Sequence, residues 1–182
     1  MGWHKTNFEG VWIFEPKIHA DERGYFFESF NASGLPDEYK NIQFVQDNEA
    51  KSTFGVLRGL HYQLPPYSQL KLVRVVTGEV LDVIVDIRPG SKTYGKHLSV
   101  ILNDIQKKQL LVPHGFAHGY VVLSEEAIFA YKCDNYYHPA SDAGIYFNDP
   151  VLNIHWIIDD HLIRVSEKDR LHPPFGNHKI YQ

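Results

Sequence analysis

"GVLRGLHYQLPPYSQLKLVRVVTG", Gly55 to Gly78, and "PHGFAHG", Pro113 to Gly119, decide the reading of this chain. The first stretch sets His61 between two bounding glycines, in what reads as a pair of β-strands. The second supplies Pro113, Gly115 and His118. Together they have the skeleton of a metal-binding β-barrel from which most of the usual ligands are missing.

Around these stretches the apolar pattern is that of many short strands. "VWIFEPKIH", "GYFFESF", "IQFVQDNE", "KLVRVVTGEVLDVIVDI", "HLSVIL", "QLLVP", "GYVVLS" and "AIFAYKC" are β-rich runs separated by Gly, Pro, Asn and Asp. "TGEV", Thr77 to Val80, is expected to turn between two strands of an antiparallel pair. Leu81, Val83, Val85 and Ile87 alternate with Asp82 and Asp86, so one face of that strand is expected to meet a core. Helical signal is confined to one short turn in "NASGLPDEYK" and another in "SEKDRL". The closing "RLHPPFGNHKIYQ" reads as a proline-stiffened tail lying on the surface. Close-spaced strands with few helices predict an all-β sandwich or barrel.

The 182 residues suffice for one sizeable core, and no linker or repeat divides them, so residues 1–182 are expected to form a single domain. Eighteen basic against twenty-two acidic residues leave a net charge of −4, which argues against a nucleic-acid surface but not against a local anion pocket. Cys133 stands alone and cannot form an intrachain disulfide, as suits a reducing compartment. "MGWHKTNFEG" lacks an apolar leader core, and no later run approaches a membrane span. The expectation is a soluble cytoplasmic protein with neither nucleic-acid nor membrane partners.

Gly55, His61 and Gly78 resemble the first cupin motif, and Pro113-His114-Gly115 with His118 the second. Cupins that hold a metal usually add a histidine two residues after the first and a glutamate seven before the closing glycine. Gln63 and Lys71 stand in those places here. Neutral glutamine is a poor ligand for a transition metal, and an ammonium puts positive charge where the cation would sit. Lys71 then replaces the metal as the local cation, and no metal is expected. The i, i+4 pair His114 and His118 lies among strand formers without an HExxH glutamate, so a helical zinc pair does not fit.

Over nearly its whole length the chain resembles the dTDP-4-dehydrorhamnose 3,5-epimerase family. "DERGYFFESF", "VLRGLHYQ", "QLKLVRVVTGEVLDVIVDIR", "PHGFAHGY", "YKCDNYYHPASDAGI" and "SEKD" carry the resemblance, in that order. It implies a cupin jelly-roll barrel (a double-stranded β-helix with a few short helices), working as a homodimer without a cofactor. It also implies epimerisation at C3 and C5 of dTDP-4-dehydro-6-deoxy-D-glucose, giving dTDP-4-dehydro-L-rhamnose. The alternatives are an epimerase that inverts one carbon of a dTDP-4-keto-deoxysugar and, further off, a metal-dependent cupin using His61 and His118.

Such a reaction needs a base to take the proton beside the ketone, a cation to hold the enolate, and an acid on the opposite face. The resemblance assigns the base to His61, and an imidazole with its ordinary pKa of about 6.5 suits proton abstraction near neutrality. It assigns the orienting carboxylate to Asp169, the oxyanion cation to Lys71 and the acid to Tyr131. For substrate binding it implies Arg23, Arg58 and Lys168 on the diphosphate, whose oxygens match guanidinium forks. Glu28, Gln46, Asn48 and Asp142 are implied as polar contacts, Phe26 and Tyr137 as walls for the nucleoside, and His118 as a lining residue of the sugar site. Arg23, Phe26 and Glu28 are expected to serve the neighbouring subunit. The chain departs from the family pattern at His97, His114, Asp142 and Tyr146-Phe147.

Overall fold

The structure, a computed structural model, describes residues 2–182. Among these, strands follow in the order β1 (Gly2–Lys5), β2 (Trp12–Glu15), β3 (His19–Asp21), β4 (Gly24–Phe26), β5 (Gln46–Thr53), β6 (Leu57–Gln63) and β7 (Lys71–Thr77). They continue with β8 (Glu79–Asp86), β9 (His97–Asn103), β10 (Gln109–Val112), β11 (Phe116–Val122), β12 (Glu126–Cys133) and β13 (Asp142–Gly144). One α-helical turn, α1 (Glu167–Arg170), follows. The fold is the all-β jelly roll expected from the sequence.

Two sheets form the barrel: β1-β2-β10-β7-β12-β5 and β13-β6-β11-β8-β9, while β3 and β4 make a separate hairpin. Side chains from both sheets meet between them, among them Val73, Val75, Ile84, Phe116, Tyr120 and Phe129. The outer face of the five-stranded sheet is not left to water. Ile145, Phe147, Leu152, Trp156 and Ile163 close over Leu81, Val83 and Val85 there. The outer face of the six-stranded sheet is covered likewise, by Leu35 with Phe30, Tyr39 and Phe44 over Leu72 and Leu111.

This layering corrects one expectation. β7 pairs with β10 and β12, whereas β8 pairs with β9 and β11, so "TGEV" does not join an antiparallel pair. The turn at Gly78, with φ of 82°, passes the chain from one sheet to the other. The alternation in β8 turns Leu81, Val83 and Val85 to a core, as expected, and its other face is buried as well. Asp82 and Asp86 are fully buried because their face looks into the barrel.

The interior of a narrow barrel admits polar side chains where strands approach closely. A Cβ on Gly59 would lie 2.5 Å from the Cα of Gly119, and its φ of 135° also favours glycine. The absence of side chains at this crossing lets β6 and β11 pair tightly enough to set His61 opposite His118. "NASGLPDEYK" holds two 3₁₀ turns rather than one. "SEKDRL" forms α1, where the Ser166 Oγ accepts a 3.1 Å bond from the Asp169 amide and caps the turn. The tail packs on the surface, anchored by the Tyr62 hydroxyl donating to the Lys179 carbonyl at 2.6 Å.

Candidate active site

A cavity of about 550 Å³ opens between the sheets. His61 from β6 and His118 from β11 line it on one side, Lys71 from β7 and Tyr131 from β12 on the other. Arg58, Arg164, Lys168 and Asp169 add to its charged lining. Seven of the residues singled out in the sequence therefore share one cavity, all four expected catalytic groups among them. Alternation explains the inward lysine: its neighbours Leu70 and Leu72 pack on the outer face.

His61 and Asp169 lie 108 positions apart in sequence, yet the His61 Nε2 is 2.8 Å from the Asp169 Oδ1. The other carboxylate oxygen accepts a 3.3 Å bond from the Gly59 amide. Burial pushes the Asp169 carboxyl up, but the imidazoles of His172 and His61 and the Gly59 amide outweigh it and hold the group well below the usual carboxylate range. An ionised Asp169 fixes the His61 tautomer: Nε2 carries the proton that it donates, and Nδ1 keeps the free lone pair. The ring is one-third exposed, so that lone pair is open to a ligand.

Lys71 sits with its Nζ 5.9 Å from the centre of the Tyr131 ring. Burial lowers the lysine pKa, with Cys133, Asp142 and Asp82 pulling the other way. Burial also pushes the Tyr131 phenol up to about 12, with a contribution from Cys133, so the phenol keeps its proton at neutral pH. Gln63, at the former ligand place, is buried and spends its amide elsewhere. It donates to the Tyr67 and Tyr136 carbonyls and accepts from the His138 amide at 2.6 Å.

His118 is more tightly held than a simple lining residue. Its Nε2 lies 2.8 Å from the Asp82 Oδ2, and both side chains are buried, so the barrel holds a second imidazole–carboxylate pair. Arg58 bonds the Ser52 hydroxyl at 3.1 Å and faces the cavity. Lys168 also reaches the cavity, but it is ion-paired with Asp142 rather than free, and so its charge is already matched.

Asp142, Gln46 and Tyr137 stand at the rim rather than in the cavity. The Tyr137 hydroxyl donates to the Asp142 Oδ2 at 3.3 Å, its amide donates to the Gln46 Oε1 at 3.0 Å, and the Gln46 amide donates to Asn48. With the Asp142–Lys168 ion pair, these bonds tie five of the expected substrate contacts into one chain. Arg23, Phe26 and Glu28 do not join the site of their own chain. Arg23 is 85% exposed and held by Asp21 at 2.5 Å, and Phe26 is 70% exposed on the β3–β4 hairpin.

Three cavity neighbours escaped the sequence reading. Tyr120 stacks on Phe129 at 4.1 Å between ring centres, and its buried hydroxyl has no partner. Asp82 reads in sequence as an ordinary alternating strand residue. His172, three residues beyond Asp169, lies with its Nε2 3.6 Å from the same Oδ1 and its ring edge-on to His61 at 5.4 Å. No local pattern signals its placement, which depends on the room left at Gly144 on another element.

A jelly-roll cavity that joins an imidazole–carboxylate pair to an ammonium and a protonated phenol defines an acid–base isomerase site. Comparison with known proteins gives the same class. The profile of the dTDP-4-dehydrorhamnose 3,5-epimerase family matches residues 5–177. The dTDP-4-dehydrorhamnose 3,5-epimerase of Shigella flexneri is 52% identical over 91% of this chain and 91% of its own. A crystal structure of dTDP-6-deoxy-D-glucose-3,5-epimerase from Legionella pneumophila, in complex with dTDP-4-keto-L-rhamnose, superposes with a TM-score of 0.92 at 45% identity, covering 100% of this chain and 98% of that one. ChmJ, a 3'-monoepimerase from Streptomyces bikiniensis in complex with dTDP-quinovose, aligns at 33% identity with a TM-score of 0.87, over 95% of this chain and 87% of that one. The chain belongs to the dTDP-4-dehydrorhamnose 3,5-epimerase family, and its activity is that of an isomerase.

Proposed function

We propose that this chain inverts C3 and C5 of dTDP-4-dehydro-6-deoxy-D-glucose to give dTDP-4-dehydro-L-rhamnose, using its own side chains alone. The observation that carries this reading is the placement of His61 and Tyr131 on opposing sheets around one cavity. Inversion requires a proton to leave one face of the sugar and return to the other. A base and an acid on facing walls provide that without turning the substrate over.

The 4-keto group acidifies the hydrogens on both flanking carbons. The Nδ1 of His61 takes one of them, and the resulting imidazolium is stabilised by ionised Asp169. The electron pair moves onto the keto oxygen, where the Lys71 ammonium meets the developing charge in a site shielded from water. Tyr131 then returns a proton to the carbon from the other wall. A phenol is a weak acid, but an enolate carbon is a strong enough base to take its proton. His118, held by Asp82, lines the sugar end.

The diphosphate is assigned to Arg58 and the nucleoside to the rim at Tyr137, with Lys168 available once its pairing with Asp142 rearranges. We further propose a homodimer in which Arg23, Phe26 and Glu28 complete the partner's site, because the hairpin bearing the first two exposes an arginine and an aromatic ring that its own chain does not use. The work is assigned to one domain, residues 1–182, in the cytoplasm, where the lone Cys133 thiol stays free. Among the described residues no helix is long and apolar enough to cross a membrane.

Proton NMR in D₂O with dTDP-4-dehydro-6-deoxy-D-glucose tests the reaction. Deuterium is expected at both C3 and C5 of an L-configured product. Incorporation at one carbon with one inverted centre would replace the double epimerase by a single-carbon enzyme.

A further inference from the structure

Asp169 is shared by two histidines, and the reaction uses one of them. The Nε2 atoms of His61 and His172 converge on the same Oδ1, at 2.8 and 3.6 Å. The His172 Nε2 is buried and has no hydrogen-bond partner, so the structure leaves a nitrogen aimed at a carboxylate with nothing between them. The fold makes room for this ring: a Cβ on Gly144 would fall 2.4 Å from that Nε2. All three donor atoms lie within 4.8 Å of one another.

From this geometry we propose that His61, Asp169 and His172 form an inhibitory binding site for a divalent transition metal, with zinc as the best-fitting ion. The proposal rests on the epimerase reading for its consequence but not for the site itself. Two imidazoles and a carboxylate are a common zinc ligand set, with the remaining position left to water or substrate. Zinc bonds of about 2.0–2.2 Å set tetrahedral donors roughly 3.3–3.5 Å apart. The His172 Nε2 and Asp169 Oδ1, at 3.6 Å, need to close by only about a tenth of an ångström to reach that spacing. The His61 bond must open from 2.8 Å, which a rotation of the partly exposed ring provides. The Gly59 amide on Oδ2 orients the carboxylate from behind, as ligating carboxylates require. The site lies apart from the motif positions occupied by Gln63 and Lys71.

Inhibition follows from proton bookkeeping on one ring. A neutral imidazole has one N–H and one lone pair. In the dyad Nε2 bears the proton, and Nδ1 bears the lone pair that acts as base. A zinc ion bound at Nε2 takes that nitrogen's lone pair, so the single ring proton moves to Nδ1 and no net proton is lost. Nδ1 then has nothing with which to accept a substrate proton. The same ion removes Asp169 from its orienting role.

The test titrates metal-free, full-length protein with zinc chloride by calorimetry, and with cobalt(II) by visible absorption, in buffer without chelators. Epimerisation is measured in parallel. One zinc per chain, a tetrahedral cobalt spectrum and suppression of turnover are expected. His172→Ala and His172→Phe, the second keeping the ring's bulk, should weaken both binding and inhibition at least about tenfold. Each variant is compared with its own metal-free rate. Zinc binding unchanged in both variants, no binding below millimolar zinc, or full turnover at saturating zinc would overturn the proposal. Stoichiometric binding with no turnover in the metal-free protein would sink the epimerase reading and leave the metal site standing.

Discussion

Lys71 holds its ammonium 5.9 Å from the ring centre of Tyr131, on the sheet wall opposite His61. A cation in that place has conflicting effects on activity and stability. Burial lowers its pKa, so the folded state binds the proton less well than the unfolded chain does. The resulting penalty is fullest at low pH and is relieved as pH rises toward the ordinary lysine value of 10.5. Lys71→Met should cut turnover by about 10²- to 10³-fold, the usual loss for an oxyanion donor. It should also raise the melting temperature at pH 7 by roughly 2–4 °C, the shift that about 1 kcal/mol gives in a chain of this length. Parallel assays and calorimetric scans check both halves, and a loss of turnover below threefold would remove Lys71 from the chemistry.

Tyr131→Phe separates proton removal from proton return. His61, Asp169 and Lys71 remain, so the variant should still exchange substrate hydrogen for deuterium in D₂O. Formation of inverted product should fall by about 10²-fold or more, in line with the loss of a general acid. NMR reads both rates from one sample. Equal loss of exchange and inversion would assign the acid elsewhere.

His61→Asn is expected to abolish measurable turnover while binding of dTDP, followed by calorimetry, changes less than about threefold, because the base does not carry the nucleotide. If the variant turns over within tenfold of the parent, His61 is not the base.

Asp169→Asn should reduce turnover by on the order of 10²-fold, since the amide neither fixes the tautomer nor stabilises the imidazolium. Its stability effect has a defined pH window. The Asp169 pKa is depressed on folding, so its contribution is present above the unfolded value near 3.8 and fades as pH falls below it. The melting temperatures of parent and variant should therefore differ most near neutrality and converge in acid. Melting curves between pH 7 and pH 3 test this, and a gap that is constant across the range contradicts it.

Arg23→Ala and Phe26→Ala should raise KM with kcat nearly unchanged, because neither residue lies in its own chain's cavity. If the chain dimerises as proposed, mixing the Phe26→Ala chain with the His61→Asn chain should restore one intact site in each mixed dimer, read as recovered activity at substrate concentrations well below the raised KM. Absence of recovered activity on mixing would place the hairpin's role within its own subunit.

The sequence exposed those features whose signal is local. Lys71 announces its inward direction by standing between two leucines, and Ser166 announces the turn that delivers Asp169. The change of sheet at Gly78 was not visible, because a glycine at positive φ serves a hairpin and a crossover equally well. β1 and β13 are short edge strands whose pairing depends on the neighbours they find. The burial of Asp82 was not legible, because periodicity shows that two faces differ without showing whether either is wet. Lys168 looked like a free cation because its partner, Asp142, lies twenty-six positions away. His172 acquired meaning from Gly144, on a different element, which no pattern near residue 172 reveals.

The orienting carboxylate sits on a capped single turn in the C-terminal segment, outside the sheets that carry the other reacting groups. That segment is held to the barrel by Ile163, Val165 and Phe175 in the outer core layer. Loosening that capped turn would leave the His61 imidazole without the partner that dictates its tautomer. On the proposed reading, catalytic competence in this chain depends on how firmly its last stretch stays seated.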